Sequence, residues 1–87
     1  MNPAWRAWLD RVVAAVEPIP EVEAVYRGQF NLFPAVYLIG AGIKGLSRLA
    51  AEKAIEAVPD PPYARAVLFG EKPLAGTTLV WRRPPKP

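Results

Sequence analysis

The fold depends on one central stretch, an apolar run that leads directly into three glycines: Phe33-Pro34-Ala35-Val36-Tyr37-Leu38-Ile39-Gly40-Ala41-Gly42-Ile43-Lys44-Gly45. Residues 35–39 are apolar at every position, which indicates a central strand buried on both faces. Pro34 stands at the entry of this strand, where no ladder hydrogen bond is lost. The glycines then allow a sharp turn into a helix.

The pattern predicts that this helix spans residues 46–58 and that residues 59–62, which include three prolines, end it. Arg48, Glu52 and Lys53 are expected on its outer face. The predicted buried face is rich in alanine, so the helix should lie close to the sheet. Its members are Leu46, Leu49, Ala50, Ala54, Ala57 and Val58.

A first helix is predicted at the start of the chain, where Asn2 can cap it and Pro3 suits its first position. Large apolar residues then recur at the spacing of one helical face, and Pro18 ends the helix. The residues of this face are Trp5, Trp8, Leu9, Val12, Val13 and Val16.

Three further strands are predicted over residues 22–27, 63–70 and 77–83, with a turn or loop starting at Gly28-Gln29 and a hairpin-like loop at 71–76. The order α-β-β-α-β-β fits an α+β fold with a four-stranded, mostly antiparallel sheet and two helices on one face. We assign residues 1–83 to a single small domain and residues 84–87 to a proline-rich C-terminal tail.

The amino-acid composition argues against several classes of function. The 87 residues include no cysteine and no histidine, so the commonest metal ligand and the commonest general base are missing. Ser47 has no base to activate it and reads as a cap near a helix start. We therefore expect no enzyme, no metal and no cofactor. With no membrane-length apolar run and no signal-peptide core, we expect a soluble protein, cytoplasmic or in a virion, that is not secreted.

The three glycines match the G-x-G-x-x-G spacing of dinucleotide-binding folds. However, such a fold needs an acidic residue about 20 positions on, at the end of a parallel strand, and Asp60 lies in a proline-rich loop. Gly42-Ile43-Lys44-Gly45 is also the G-x-x-G of KH modules, although there it joins two helices. The simpler interpretation is a tight turn between strand and helix.

Two features suggest contact surfaces. Phe30, Leu32 and Phe33 make the loop before the central strand apolar, so they either fold back into the core or form an exposed contact surface. Charge is also uneven in a chain of net charge +3. Glu17, Glu21 and Glu23 form an acidic patch, whereas Arg82, Arg83 and Lys86 make the end of the chain basic, which would suit head-to-tail association or an anionic partner.

The opening helix, the first strand and the Phe33-Pro34-Ala35-Val36-Tyr37-Leu38 segment together resemble phage tail-terminator and head-to-tail joining proteins. This resemblance implies that a hairpin follows the opening helix, that a helix and a closing pair of strands end the chain, and that the protein is a ring-forming structural protein with no active site. Ile39-Gly40-Ala41-Gly42, followed by a helix, also resembles the Alba-like and sporulation-protein-S-like families, which implies a small nucleic-acid-binding domain.

Our leading hypothesis is a non-enzymatic assembly module that binds itself and other assembly proteins, with interface residues Phe30, Leu32, Phe33, Arg82 and Arg83. The alternative is a nucleic-acid-binding domain, Alba-like or KH-like, whose binding weakens with salt. It would use Lys44, Arg48, Arg65, Arg82 and Arg83. Neither hypothesis includes a membrane or a small-molecule substrate.

Overall fold

A computed structural model describes residues 2–59 and 65–85. Two helices and four strands follow one another in the order α-β-β-α-β-β, which confirms the predicted α+β class. The elements are α1 (Pro3–Val16), β1 (Ala24–Phe30), β2 (Phe33–Ile39), α2 (Leu46–Glu56), β3 (Ala66–Gly70) and β4 (Thr78–Arg82).

The four strands form one mixed sheet in the order β3-β2-β1-β4. β1 is antiparallel to both of its neighbours, β2 and β4, whereas β3 runs parallel to β2. Ladder partners are Val25 and Leu38 between β1 and β2, and Val36 and Val67 between β2 and β3. Val80 is the extra residue of a β-bulge, because Trp81 faces Val25 and Leu79 faces Tyr26.

Both helices lie on one face of the sheet, as predicted. The main core joins the inner residues of α1 to Val25, Val36 and Leu38 of the central strands and to Ala51 and Ile55 of α2. The first helix begins as its sequence indicates, because the Asn2 side chain accepts a hydrogen bond of 2.8 Å from the Ala4 amide and Pro3 follows the cap. Its buried residues are Trp5, Trp8, Leu9, Val12 and Val16.

The opposite face of the sheet carries a second, smaller apolar cluster: Ala24, Ala35, Tyr37 and Ile39, all buried. Residues 71–77, which we call the strap, run along this face, where Pro73 lines a groove with Ala24 and Ile39. The strap starts at the end of β3 and must pass three strand spacings, about 14 Å, to reach β4 at the other edge. A Cβ on Gly28 would lie 3.1 Å from Cγ2 of Thr77, so glycine lets the strap approach closely.

The strap also explains the chain's path. The connection through α2 carries the chain from β2 to β3 on the helix face, and the strap carries it back toward β4 on the other face. Because both the direction and the face are reversed, the two crossovers between parallel strands have the same hand, as expected for such connections.

Three details of the sequence-based prediction are wrong. The chain does not turn at Gly28-Gln29, because β1 continues to Phe30. Residues 71–76 do not close a hairpin, because β3 and β4 lie at opposite edges of the sheet. The predicted buried face of α2 is also misplaced, since Leu46, Leu49 and Ala50 are exposed and the helix packs through Ala51 and Ile55.

Some predicted features lie outside the described residues. They are the first part of the strand assigned to residues 63–70, most of the 59–62 segment expected to end α2, and the last two residues of the tail, which include Lys86.

Candidate functional site

The most exposed apolar feature among the described residues is the turn between β1 and β2, residues 30–33, which we call the hairpin tip. Asn31 and Leu32 form a two-residue connection between the paired residues Phe30 and Phe33. Asn31 has a φ of 56°, the left-handed conformation that asparagine tolerates better than most residues. The local sequence therefore places three large apolar side chains around one tight turn.

The hairpin tip projects beyond the rest of the sheet. β4 pairs with β1 only over Ala24–Arg27, and β3 pairs with β2 only from Ala35 onward. Residues 28–34 therefore have no strand on either outer side among the described residues, and this part of the sheet is a two-stranded ribbon. The Tyr37 hydroxyl stabilises the start of this ribbon by donating a hydrogen bond of 2.8 Å to the carbonyl of Gln29.

The side chains of the hairpin tip stay in solvent. Phe30 and Phe33 are 46% and 47% exposed and Leu32 is 92% exposed. Of the two interpretations of this apolar segment, burial in the core is thus wrong. Grouped exposure of large apolar side chains is a common mark of a protein contact surface.

The turn between β2 and α2, residues 40–45, which we call the glycine turn, has a structural role. A Cβ on Gly40 would lie only 2.1 Å from the carbonyl oxygen of Glu21, so the backbone of the linker before β1 occupies that space. The Ala41 amide donates a hydrogen bond of 3.2 Å to Oε2 of Glu23. Two glutamates of the same chain thus lie against the turn, and negative charge there disfavours a phosphate.

Ser47 acts within the same turn. Its Oγ accepts a hydrogen bond of 3.0 Å from the Lys44 amide and lies 2.9 Å from the Lys44 carbonyl, to which it can donate. The side chain thereby closes the loop that precedes α2, which begins after Gly45 without a side-chain cap. The capping role expected of Ser47 is therefore wrong: its hydroxyl bonds to the loop before α2 and not to an amide of the helix.

Arg83, predicted as an interface residue, is bonded inside the fold. Its guanidinium donates to three backbone carbonyls of the linker between α1 and β1, those of Val22 (2.9 Å), Glu17 (2.9 Å) and Ile19 (2.8 Å). Its Cζ also lies 5.0 Å from the centre of the Trp81 ring. The side chain therefore holds the end of β4 against the linker.

Arg82 is exposed, and its side chain donates a hydrogen bond of 3.2 Å to the hydroxyl of Tyr26. It lines a groove of about 360 Å³ together with Arg83, Glu23 and Tyr26. The acidic linker and the basic end of β4 are therefore neighbours in one molecule. The expectation that they form separate charged regions suited to head-to-tail association is wrong for these residues.

The remaining basic residues of the alternative hypothesis lie near the other edge of the sheet. Arg48 pairs with Glu52 at 3.0 Å and lies over the Phe69 ring at 4.7 Å. It shares one hollow with Lys44 and another with Arg65. The five candidates thus form two groups at opposite edges.

Carboxylates accompany both groups. Glu52 and Glu56 line the hollow that contains Arg48 and Arg65, and Glu71 lines the hollow that contains Lys44. Glu23 lines the groove that contains Arg82 and Arg83. A surface that tracks a nucleic-acid backbone needs a continuous excess of positive charge. This mixture of charges gives little support to nucleic-acid binding.

Within residues 2–59 and 65–85 we find no group of three or more side chains suited to holding a metal ion. No described helix has the length and apolar character needed to cross a membrane. No protein-family model, curated protein or solved structure matches the chain.

Proposed function

We propose that this protein is a non-enzymatic assembly module that associates with copies of itself through the hairpin tip. The observation that carries the proposal is the exposure of Phe30, Leu32 and Phe33 on a ribbon that projects from the sheet. A projecting hairpin can enter a recess on a neighbouring molecule without any change in the sheet behind it.

The composition of the tip supports burial in a partner. No residue from Gly28 to Ile43 is charged, so covering this segment removes no ionised group from water. Fully burying a leucine or phenylalanine side chain contributes about 1.5–3 kcal/mol. Three such side chains on one turn would make a small, well-defined energetic centre for an interface.

A joining role in a phage tail is a narrower form of the same proposal. It is supported by the resemblance of the opening helix and of the segment that begins at Phe33. This segment forms the second strand of a hairpin, which is the arrangement that the resemblance implies. β3 and β4 depart from it, because they do not pair with each other. Co-sedimentation with tails that lack their terminal ring would test this role, and failure to bind them would remove it.

Replacing Leu32 with serine is expected to weaken self-association at least tenfold. The change removes the most exposed apolar side chain of the tip, whose burial is worth about 1.5–3 kcal/mol, and each 1.4 kcal/mol is a factor of ten in Kd. Sedimentation velocity over a range of concentrations measures the effect, starting from a protomer of 9.6 kDa. The free energy of unfolding of the monomer should change by less than about 0.5 kcal/mol.

Leu74→Ser is the matched control, because Leu74 is another exposed leucine, 60% accessible, but lies on the strap. The same loss of apolar surface at this position should leave association unchanged. The proposal fails if the wild-type protein stays a monomer at high concentration, or if both serine variants associate as the wild type does.

A further inference from the structure

Helix α2 carries two apolar surfaces, and only one of them is buried by the described residues. Ala51 and Ile55 face the core and are 0% and 3% exposed. Leu46, Leu49 and Ala50, which we call the outer stripe, face away from it, and the two leucines are 84% and 47% exposed.

The outer stripe has the spacing of a packed helix face. Its members stand at positions i, i+3 and i+4, the neighbours on one side of a helix. They belong to the very set that hydrophobic periodicity marks as buried. The periodicity and the exposure are independent observations, and together they indicate that this face packs against something outside the described part of the chain.

We propose that the outer stripe receives the hairpin tip of a second copy of the chain. The inference rests on the proposed function and adds to it the surface that the tip contacts.

The hairpin tip and the outer stripe lie at opposite ends of one molecule, so a contact between them must join two molecules. α2 follows the end of β2 and returns along the sheet to the start of β3, so Leu46 and Leu49 lie at the Ile39 end. The hairpin tip lies at the other end, beyond the start of β3. The tip of one molecule can therefore reach only the stripe of another, and the contact is head-to-tail.

Charge favours the tip over a second stripe as the occupant. Lys44 and Lys53 flank the outer stripe and are exposed, and neither belongs to the two ion pairs found among the described residues. Two stripes packed face to face would bring these like charges together, which is unfavourable. The uncharged tip brings no such repulsion.

A head-to-tail contact of this size predicts a ring or a filament. Each surface offers only a few side chains, whereas a stable interface commonly uses 20–30 residues on each side. A single contact should therefore be weak. Each protomer has one tip and one stripe, so a closed ring gives every copy two contacts, and a rotation that does not close gives a filament.

Cysteine cross-linking tests the contact cleanly, because the chain has no cysteine of its own. Leu32→Cys and Leu49→Cys are prepared as separate single variants, mixed, and oxidised with diamide, which takes up the two hydrogens as the disulfide forms. The expected result is a disulfide-linked heterodimer, with at least fivefold less of either homodimer. A variant that carries both changes should give a ladder of longer products.

Thr78→Cys provides the control, since Thr78 is exposed on β4, at the sheet edge opposite the β3 side on which α2 lies. Cross-linking of Leu32→Cys to this residue as efficiently as to Leu49→Cys would overturn the inference. So would a Leu32→Cys homodimer as the main product, although the proposed function would survive because the tip would still mediate association. No product from any pair, together with a monomeric wild type, would overturn both.

Discussion

Gly40→Ala is expected to destabilise the protein by about 3 kcal/mol, near the upper end of the effects seen when atoms are forced into a packed site. The added Cβ would lie 2.1 Å from the Glu21 carbonyl oxygen and 3.2 Å from Cγ1 of Ile43. The first of these atoms belongs to the backbone, so no side-chain rotation can relieve the clash. Thermal unfolding followed by circular dichroism should show a Tm more than about 10 °C below that of the wild type.

Two neighbouring glycines provide controls for the Gly40 experiment. At Gly42 the nearest atom to an added Cβ is Cγ of Glu21, at an ordinary contact distance of 3.5 Å, so Gly42→Ala should change the stability by less than about 1 kcal/mol. Gly45 has open space around it, but its φ of 57° and ψ of −124° lie in a region that is strained for alanine, so Gly45→Ala should cost about 1–3 kcal/mol through backbone conformation alone. Equal effects at all three positions would refute the steric explanation for Gly40.

Arg83→Met is expected to destabilise the fold by about 2–3 kcal/mol. Methionine keeps much of the aliphatic stem but removes a guanidinium that donates to three carbonyls, and hydrogen bonds that involve a charged group are worth about 1.5–3 kcal/mol. Urea unfolding followed by tryptophan fluorescence measures the loss. Arg83→Lys should fall between the wild type and Arg83→Met, because an ammonium cannot reproduce the planar fork.

Arg82→Met is the adjacent control. The Arg82 side chain donates an exposed hydrogen bond to the Tyr26 hydroxyl, so its loss should cost less than about 0.5 kcal/mol. If the two methionine variants were equally stable, Arg83 would have no special structural role, and its use in a partner contact would again be the better explanation.

Much of the fold could be predicted because local patterns agree with the tertiary structure. The apolar spacing of α1, its Asn2-Pro3 start and the fully apolar β2 each allow only one simple interpretation. The pairing of the strands was harder to predict from the sequence. A connection of seven residues is short enough to close a hairpin, and nothing local shows that residues 71–77 instead cross a whole sheet.

The orientation of α2 could not be read from periodicity. Apolar residues occur on two of its faces. Which face is buried depends on how the helix packs on the sheet, and the helix sequence alone does not show this. The two exposed leucines, Leu46 and Leu49, were the available signal, since large apolar residues on more than one face suggest a helix covered on more than one side.

The candidate site was predictable in part. The apolar character of Phe30, Leu32 and Phe33 is evident from the sequence, whereas their exposure depends on where β3 and β4 stop pairing. Arg82 and Arg83 are indistinguishable as neighbouring basic residues. Only the path of the linker, which brings three carbonyls to one of them, separates their roles.

The position of the hairpin has a mechanical consequence. Its two strands are the central pair of the sheet, with α1 and α2 across one face and the strap across the other. A pulling force applied at the tip acts along β1 and β2, whose interstrand hydrogen bonds run across the strands. The bonds that join this pair to β4 and to β3 are therefore loaded together in shear instead of opening one after another. A protein that joins copies through this tip would thus carry tension along the direction in which its sheet resists force best.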